Sequence, residues 1–461
     1  MTRRIKTYVL AAALLAASAC STPDTPRFRF HEDGTFRIMQ VTDAHIDWDN
    51  QEEYPKTEAQ LREMLQTCRP DLVILTGDIV TETAGLDVPW QEFLKPLDES
   101  GVPFAITYGN HDRESVLMDT RMAELITAHP SCITTARNGY IDDMNIEIGS
   151  SDGSRTAAVL YVMDSGDYSS VAPEGEYGWL PMSQLKWYDD LSKAYALANG
   201  GCPVPSYMFM HIPLCEYRQA YETGLVEGSR DEHECPGEVN SGMFSLMLMN
   251  ADVHGVFCGH DHDNDYLASM DGVGLVYGRF SGDATTSTHG KQGLRFIELH
   301  EGDYGFRTWI RERNGDIIYD NSFDPGLDYT LRKACSAEGR EHGVTFKWSD
   351  SEEETVPMPR HECRHSESPH GFSYKGYIYI PQTGLWRFRT GERDNGRVCI
   401  DDVQLNTQES CVTDINLEKG FHRLDVSAWI ENGGRSDFKL TWMAPGTDRL
   451  RDVPAEYFYV K

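Results

Sequence analysis

The sequence predicts an α/β domain followed by an all-β sandwich, and three observations support this prediction. Up to Pro130, short apolar strands alternate with helical patterns, as in βαβ units. Five of the predicted strands in the first domain are followed almost directly by Asp, His or Asn. From Asp324 onward helical periodicity disappears, and short alternating strands separated by turn residues are typical of a β-sandwich. A chain of 461 residues is long for one domain, so two domains fit its length.

The apolar run at residues 72–75 predicts the central strand of the first domain. It is short and β-branched, which favours a strand buried on both faces over a helix. Gly77 permits a sharp turn after it, and the carboxylate of Asp78 follows. Taken alone, Asp78 is more typical of a helix N-cap. In open α/β sheets, however, chemistry collects at the carboxyl ends of strands, so the other strand ends decide its interpretation.

The other predicted strands, at 36–41, 104–107, 207–210 and 253–258, end in residues of the same kind. The polar residues after the five strand ends are Asp43 and His45, Asp78, Asn110, His111 and Asp112, His211, and His260 and His262. Two metal ions that share one carboxylate need oxygen and imidazole ligands that converge from several strand ends. The pattern therefore predicts a site for two metals at this edge of the sheets.

The ordered motifs Asp-x-His, Gly-Asp, Gly-Asn-His-Asp, His and Gly-His-x-His resemble those of the calcineurin-like metallophosphoesterases, from about residue 36 to about 313. The stretches 211–217, 259–266 and 277–280 look like the branch that contains small purple-acid-phosphatase-like proteins. The resemblance implies a four-layer αββα sandwich. In true purple phosphatases a Tyr three residues after the bridging Asp binds ferric iron. Thr81 occupies that position here, which disfavours a purple tyrosinate–iron site.

The resemblance also implies a role for each of these residues. One metal would take Asp43, His45, Asp78 and His262, and the second would take Asp78, Asn110, His211 and His260. His111 would bind a phosphate oxygen or protonate the leaving alkoxide, and Asp112 would orient its ring. The implied activity is hydrolysis of phosphate esters by a metal-bridging hydroxide. The two ions would be divalent or mixed-valence Fe, Mn or Zn, among which this ligand set does not choose.

Two other functions stay open at this point. Gly-Asn-His-Asp occurs in diesterases as well as monoesterases, so the chain could act on small phosphodiesters. The second alternative is a glycan-binding protein with an inactive first domain. That alternative would require a lost ligand, and none is lost in the sequence. A net charge of −31 without a basic run disfavours nucleic acid as a partner, which leaves a small phosphate ester as the expected substrate.

Residues 1–20 predict a bacterial export signal. Arg3, Arg4 and Lys6 precede an apolar run at 8–17 that is too short to span a bilayer. Residues 15–20 resemble a bacterial lipobox, although Ala17 stands where Leu is usual. The resemblance implies lipidation of Cys20, a tether at 21–34, and a membrane-anchored protein of the cell envelope, in the periplasm or at the cell surface. The alternative is ordinary cleavage after an Ala-x-Ala-like site, with Cys20 incidental.

The remaining ten cysteines lack Cys-x-x-Cys spacing, which excludes zinc-finger and redox motifs. In an exported protein their even number allows up to five disulfides. Within the predicted phosphoesterase domain at 35–320, helices are expected at 50–68, 88–97, 114–126, 181–198 and 243–250. Asp164 is interpreted as a turn residue and His254 as a core histidine. The acidic segment 216–241 is interpreted as a loop that forms a substrate-facing lid.

The second domain is expected at 325–461. Residues 376–388, followed by Asp394-Asn395-Gly396 and Ile400-Asp401, resemble the PA14 family of β-sandwich modules. Some PA14 modules bind sugars through calcium held by adjacent aspartates. The corresponding pair here is Asp394-Asn395, so a structural or docking module is the simpler interpretation, and glycan remains a candidate ligand.

Overall fold

The computed structural model describes residues 28–460, with the exception of a set of short segments. These segments are 48–51, 53, 82–86, 115–118, 172–175, 284, 286, 288–289, 337–338, 350, 364–368, 392–395, 407–410 and 431–435. The predicted signal, Cys20 and most of the predicted tether lie outside the described residues, as does the pair Asp394-Asn395 of the PA14 resemblance.

A six-stranded sheet carries the first three predicted strand ends. Its strands, in spatial order, are Ile317–Phe323, Phe306–Glu312, Gly293–His300, Thr35–Val41, Leu72–Thr76 and Phe104–Thr107. The last three strands are parallel, with Val41 beside Leu75 and Leu75 beside Ile106. All five residues of Leu72–Thr76 are buried, as the apolar run predicts. Because these strands are parallel and in register, the residues that follow Val41, Thr76 and Thr107 meet at one edge.

An eight-stranded sheet carries the other two strand ends. Its strands, in spatial order, are Phe28–Arg29, Met144–Gly149, Thr156–Val162, Ser206–Phe209, Val253–Cys258, Val273–Tyr277, Leu267–Met270 and Val226–Glu227. Ser206–Phe209 lies between Thr156–Val162 and Val253–Cys258 and is parallel to both. The residues after Phe209 and Cys258 therefore emerge side by side.

The two sheets pack face to face and are covered by helices on their outer faces. Ile38 and Ile74 of one sheet meet Phe209 and Phe257 of the other in the central core. Tyr54–Cys68, Val88–Ser100 and Asp119–Thr127 cover the six-stranded sheet, while Met182–Ala198, Glu216–Thr223 and Met243–Asn250 cover the eight-stranded sheet. The architecture is the expected four-layer αββα sandwich.

One of these helices corrects the sequence prediction. Residues 216–241 were expected to form an irregular loop, but Glu216–Thr223 is a helix. Tyr217 and Ala220 are its buried residues, and their spacing of three places them on one helical face. Burial of that face against the sheet stabilises a segment that is otherwise polar.

A β-rich region with antiparallel sheets follows the phosphoesterase-like sandwich. One sheet contains Glu341–His342, Val344–Trp348, Glu354–Val356, His370–Ile380, Gly396–Ile400, Val403–Gln404, Gly420–Ile430 and Phe458–Val460. A second contains Gly384–Arg389, Val412–Leu417, Thr441–Met443 and Arg451–Asp452. Two-stranded ladders join His361–Cys363 to Ser436–Phe438 and, in the first domain, Ala136–Arg137 to Tyr140–Ile141. Trp386, Phe388 and Trp442 lie in the core of this region.

The two regions meet through hydrogen bonds and through an aromatic contact, in which the rings of Tyr304 and Tyr329 lie edge-on at 4.8 Å. The backbone N–H of Leu385 donates to the carbonyl of Gly201 over 3.0 Å, and the Arg387 guanidinium donates to the carbonyl of Leu248 over 3.3 Å. Trp386, between them in sequence, points into the core of its own sandwich. The edge strand of the first region runs to Phe323, three residues beyond the expected domain end at 320.

The described cysteines form none of the disulfides that the sequence allows. The nine cysteines whose side chains are described are all free. They are Cys68, Cys132, Cys202, Cys215, Cys235, Cys258, Cys335, Cys399 and Cys411. Cys258 is fully buried in the core, as expected for a small apolar residue at the end of a buried strand. No helix among the described residues combines the length and apolar character needed to cross a membrane.

Candidate metal centre

The structure brings the predicted ligands from four strand ends into two groups that share Asp78. The first group is Asp43, His45, Asp78 and His262, and the second is Asp78, His211 and His260. Within each group the candidate ligand atoms all lie within 4.8 Å of one another. Asn110, the remaining predicted ligand, is fully buried after the strand Phe104–Thr107. Six of the seven expected ligands are thus assembled around one shared carboxylate.

The backbone is unusual at four of these positions. Asp43, His45, Asp78 and His260 have φ values of 50°, 42°, 53° and 79°, in the left-handed region that residues other than glycine rarely adopt. Such conformations cost free energy and persist where the surrounding structure enforces them, which is common at functional sites. The sharp turns direct these side chains back over the ends of the strands.

Two glycines make room for the carboxylates. A Cβ atom on Gly109 would lie 2.1 Å from Oδ1 of Asp78, and one on Gly259 would lie 2.5 Å from Oδ2 of Asp43. Any side chain at either position would therefore displace a proposed ligand. The glycines of the Gly-Asn-His-Asp and Gly-His-x-His motifs are required by this close approach.

In the first group, imidazole nitrogens and carboxylate oxygens face one another at distances of 3.1–3.7 Å. Nε2 of His45 lies 3.1 Å from Nε2 of His262 and 3.7 Å from Oδ2 of Asp78. Nε2 of His262 lies 3.5 Å from Oδ1 of Asp43. Burial lowers the pKa of His45 to about 4, so this ring is neutral near pH 7. A cluster of lone pairs of this kind suits a cation.

In the second group, the His211 ring also faces a carboxylate at short distance. Nδ1 of His211 lies 2.8 Å from the carbonyl oxygen of Thr76, which can only accept, so Nδ1 carries a hydrogen. Nε2 of the same ring lies 3.0 Å from Oδ2 of Asp78. Burial disfavours protonation of His211, but the charge of Asp78 outweighs burial and raises the pKa of His211 to about 10. These two atoms can therefore share a cation, either a proton or a metal ion.

Two buried polar atoms at the site support a metal rather than a proton. Oδ1 of Asn110 and Nε2 of His260 are buried and have no hydrogen-bond partner among the described residues. Burial lowers the pKa of His260 to about 3, so its ring presents a lone pair. Buried polar atoms without partners are costly, and metal coordination satisfies both. The mixed set of imidazole nitrogens and carboxylate or amide oxygens fits two transition-metal ions.

Asp112 does not orient the His111 ring as expected. Both of its carboxylate oxygens accept backbone hydrogen bonds, at 2.8–3.1 Å. The donors are the N–H groups of Asp78, Ile79, Val80 and Gly109. Burial and the nearby charge of Asp78 raise the pKa of Asp112 to about 7. Asp112 therefore holds together the two loops that carry the bridging carboxylate and Asn110.

The ring of His111 is oriented instead by Glu114. Nδ1 of His111 lies 2.7 Å from Oε2 of Glu114, on the short 3₁₀ turn His111–Arg113 and the residue after it. Glu114 was not predicted from the sequence, although it lies three residues after His111, a spacing at which side chains meet on a helical turn. Tyr168 and Tyr177, which stack at 5.6 Å beside the second group, were not predicted either. Only the folded structure brings these tyrosines to the site.

The remaining predicted residues are located as follows. Segment 230–235 lies against the Gly-His-x-His loop, where Glu232 accepts a hydrogen bond from the N–H of Asp263 over 2.5 Å. Its action as a lid stays a prediction. Asp164 accepts from the N–H of Gly166 in a turn, as expected. His254 is buried, as expected, with Nδ1 3.1 Å from the carbonyl of Gly272.

The fold and the paired ligand groups are those of a metal-dependent phosphoesterase, and comparison with known families agrees. Residues 36–264 match the calcineurin-like phosphoesterase family. The chain belongs to this family.

Several proteins are similar to this chain across the phosphoesterase region. An Arabidopsis thaliana protein named "Probable inactive purple acid phosphatase 29" is 30% identical, over 58% of this chain and 77% of its own length. Another, "Probable inactive purple acid phosphatase 14", is 28% identical over 63% of this chain and 84% of its own length. A dimetal phosphatase structure from Danio rerio aligns with 63% of this chain and 98% of its own, at 15% identity and a TM-score of 0.45.

Proposed function

We propose that this chain hydrolyses phosphate esters at two metal ions held by Asp43, His45, Asp78, Asn110, His211, His260 and His262. The observation that supports this proposal most strongly is the pair formed by Nε2 of His211 and Oδ2 of Asp78, 3.0 Å apart and buried. A carboxylate shared by two ligand groups is the arrangement that two neighbouring metals require. The metal identity proposed is Fe, Mn or Zn, all compatible with these ligands.

Two bound metals would supply Lewis acidity toward the phosphate oxygens and lower the pKa of a water placed between them. The chain's own residues do the rest. The N–H of His111 donates to Oδ1 of Asp78 over 2.8 Å and fixes the direction of the shared carboxylate. The His111 side chain, 34% exposed, is the most accessible ionisable group of the motif residues and meets the substrate. With the ring as imidazolium, its Nε2–H would donate to a phosphate oxygen or give its proton to the leaving alkoxide.

A second candidate function is metal binding without turnover. The names of the two Arabidopsis thaliana proteins described above include the word "inactive". The arrangement of this chain favours activity, because all seven proposed ligands are present and the shared carboxylate is in place. Small phosphodiesters are an alternative substrate class, since the same metal pair can clamp the oxygens of a diester.

The test is hydrolysis by the purified full-length chain. Aryl and alkyl phosphomonoesters and a matched aryl phosphodiester are assayed after removal of metals with a chelator and again after adding Mn²⁺, Zn²⁺ or Fe²⁺. We expect turnover only with added metal. Full metal loading with no turnover on any ester would support the inactive alternative. A larger kcat/KM for the diester would assign the diester preference.

We further propose that the protein is exported and attached to the bacterial cell envelope through a lipid on Cys20. The basic residues, apolar run and lipobox-like residues at 15–20 support this location. The Cys20→Ser variant should leave the membrane fraction, while Ser21→Ala should stay in it. Wild-type protein that remains soluble and uncut in the cytoplasm would contradict the proposed location. Glycan binding by the C-terminal region is a weaker proposal, because Asn395 stands where the sugar-binding modules have a second aspartate.

A further inference from the structure

Four polar side chains form one continuous hydrogen-bonded chain beside the second ligand group. Nδ1 of His111 lies 2.7 Å from Oε2 of Glu114. The hydroxyl of Tyr168 donates to the other carboxylate oxygen, Oε1 of Glu114, over 2.6 Å. Nδ2 of Asn110 donates to the hydroxyl oxygen of Tyr168 over 3.4 Å. The chain therefore begins at the proposed catalytic histidine and ends at a proposed metal ligand.

The direction of each hydrogen bond that links His111, Glu114, Tyr168 and Asn110 is fixed. Glu114 only accepts, so the hydrogen of Tyr168 points to Glu114 and the hydroxyl oxygen accepts from Asn110. The phenol keeps its proton near pH 7, because tyrosine side chains lose theirs only near pH 10. Nδ2 of Asn110 must then face Tyr168, which turns Oδ1 away from it.

The same logic fixes the two atoms that the reaction needs. Oδ1 of Asn110 is buried without a hydrogen-bond partner among the described residues, so it is available to a metal. At His111, Glu114 accepts the hydrogen on Nδ1, and Nε2 lies on the far side of the ring. No hydrogen bond to Nε2 of His111 is formed within the described part of the chain. Nε2 is thus left on the substrate side, where it can take up a second proton and, with the ring as imidazolium, donate that proton to a substrate oxygen.

Tyr168 itself is held by aromatic packing. Its ring stacks on Tyr177 with centroids 5.6 Å apart and planes 20° apart. The ring of Tyr177 meets the ring of His260 edge-on, at 4.4 Å. Asp167 and Gly178 close the base of this segment, where the N–H of Gly178 donates to the carbonyl of Asp167 over 2.8 Å. The hydroxyl of Tyr168 is therefore delivered to Glu114 by a packed element.

We propose that Tyr168 and Glu114 are a positioning pair for the hydrolysis proposed above, on which this inference rests. The pair sets the tautomer of His111, with hydrogen on Nδ1, and the amide orientation of Asn110. Neither residue touches the reacting atoms. Loss of the Tyr168 hydroxyl leaves Glu114 with one partner fewer and leaves the Asn110 amide free to turn.

The first test reads the tautomer directly and requires no turnover. The full-length chain, loaded with Zn²⁺ and labelled with ¹⁵N-histidine, is compared by NMR, and the His111 signals are identified from their absence in His111→Ala. Wild type should show hydrogen on Nδ1 of His111. Glu114→Ala should shift the neutral ring toward the Nε2–H form, because free imidazole side chains prefer that form in water. Tyr168→Phe should shift it in the same direction by a smaller amount.

The second test uses a matched pair of variants. Tyr168→Phe and Tyr195→Phe each remove one hydroxyl that accepts from an asparagine and donates to a glutamate, but Tyr195 does so with Asn145 and Glu147, outside the ligand groups. Tyr168→Phe should lower kcat by roughly tenfold, within the 10–100-fold range typical of residues that orient ligands, and the loss should be larger for alkyl than for aryl phosphates. Tyr195→Phe should keep wild-type turnover. Glu114→Gln retains an acceptor oxygen and should fall between wild type and Glu114→Ala.

The two tests separate failure of this inference from failure of the proposed function. An unchanged His111 tautomer in both Glu114→Ala and Tyr168→Phe overturns the inference even if the enzyme is active. Equal kcat values for Tyr168→Phe and Tyr195→Phe also overturn it. If no variant, including wild type, hydrolyses any ester while the tautomer changes as expected, the positioning pair stands and the proposed function fails.

Discussion

His111 and Asn110 are neighbours in sequence but differ in environment. Asn110 is fully buried, whereas the His111 side chain is 34% exposed. A metal ligand benefits from burial, because desolvation strengthens its interaction with the ion. A group that meets the substrate must be reachable. We therefore assign Asn110 to the metals and His111 to the substrate.

The His111→Ala variant tests this division of roles. It should retain two metals, because His111 is not in either ligand group, and slow turnover by roughly 10²–10⁴-fold, as expected for lost acid–base help. If His111 protonates the leaving group, the loss should shrink for nitrophenyl phosphate, whose leaving group needs no proton. An equal loss on all esters would indicate phosphate binding instead. Turnover equal to wild type on every ester would remove His111 from the mechanism.

Individual contacts around the site could be predicted only in part. The seven proposed metal ligands stand out in the sequence because Asp, His or Asn follows each strand end, and their assignment to two metals is implied by the resemblance to the family. Asp112 was assigned to the wrong partner, because its four donors are backbone N–H groups of two loops, and backbone groups leave no trace in residue identities. Tyr168 lies 54 residues from Glu114, so its hydrogen bond depends on the tertiary fold.

At the scale of elements, the buried parallel strands were the most predictable feature. Leu72–Thr76 is a short apolar run between turn residues, and such runs form central strands in α/β sheets. The helix Glu216–Thr223 was not predicted, because only Tyr217 and Ala220 of its eight residues are buried. A helix this short gains little from its own hydrogen bonds, and tertiary packing decides whether it forms.

The strand Val253–Cys258 provides a pH test of the fold. Burial lowers the pKa of His254 on this strand to about 4 from the model-peptide value of 6.5. Between pH 6.5 and 4 the unfolded chain therefore binds more protons than the folded chain, and the free energy of unfolding decreases as the pH falls through that range. The loss should approach roughly 3 kcal/mol. His254→Gln, which keeps a donor for Gly272, should show a flatter pH dependence in urea denaturation.

An exposed histidine is the control that separates the effect of burying His254 from the effect of replacing any histidine by glutamine. His300, whose side chain is 46% exposed, lies on the neighbouring sheet. His300→Gln should retain the wild-type pH dependence. If His254→Gln and wild type lose the same free energy of unfolding between pH 6.5 and 4, the buried neutral state of His254 is wrong.

At the scale of the whole molecule, every proposed metal ligand lies before Asp265, within the αββα sandwich. The described contacts with the C-terminal region include the hydrogen bonds of Leu385 and Arg387 to backbone carbonyls. Removal of that region uncovers the ring of Tyr304, which meets Tyr329 at 4.8 Å, but takes no residue from the core clusters of the first sandwich. The catalytic region should therefore fold without the C-terminal sandwich.

A chain covering residues 27–324 should bind two metals and hydrolyse a small aryl phosphate with kcat/KM within about threefold of the full-length protein. The cut follows Phe323, because a cut at 320 would divide the edge strand Ile317–Phe323. A chain ending at 320 is the matched comparison and should unfold at lower temperature. A folded 27–324 chain with two metals but no activity would show that the C-terminal region completes the site.

The shared carboxylate is the central claim, and the metal content of Asp78→Asn tests it most directly. Asp252→Asn is the matched control, since Asp252 is also a buried aspartate but hydrogen-bonds to Tyr188, away from the ligand groups. Metals per folded chain are measured by elemental analysis after loading with Zn²⁺ and gel filtration. We expect two in wild type and in Asp252→Asn, and at most one in Asp78→Asn. Two tightly bound metals in Asp78→Asn would contradict the assignment of Asp78 as the bridging ligand.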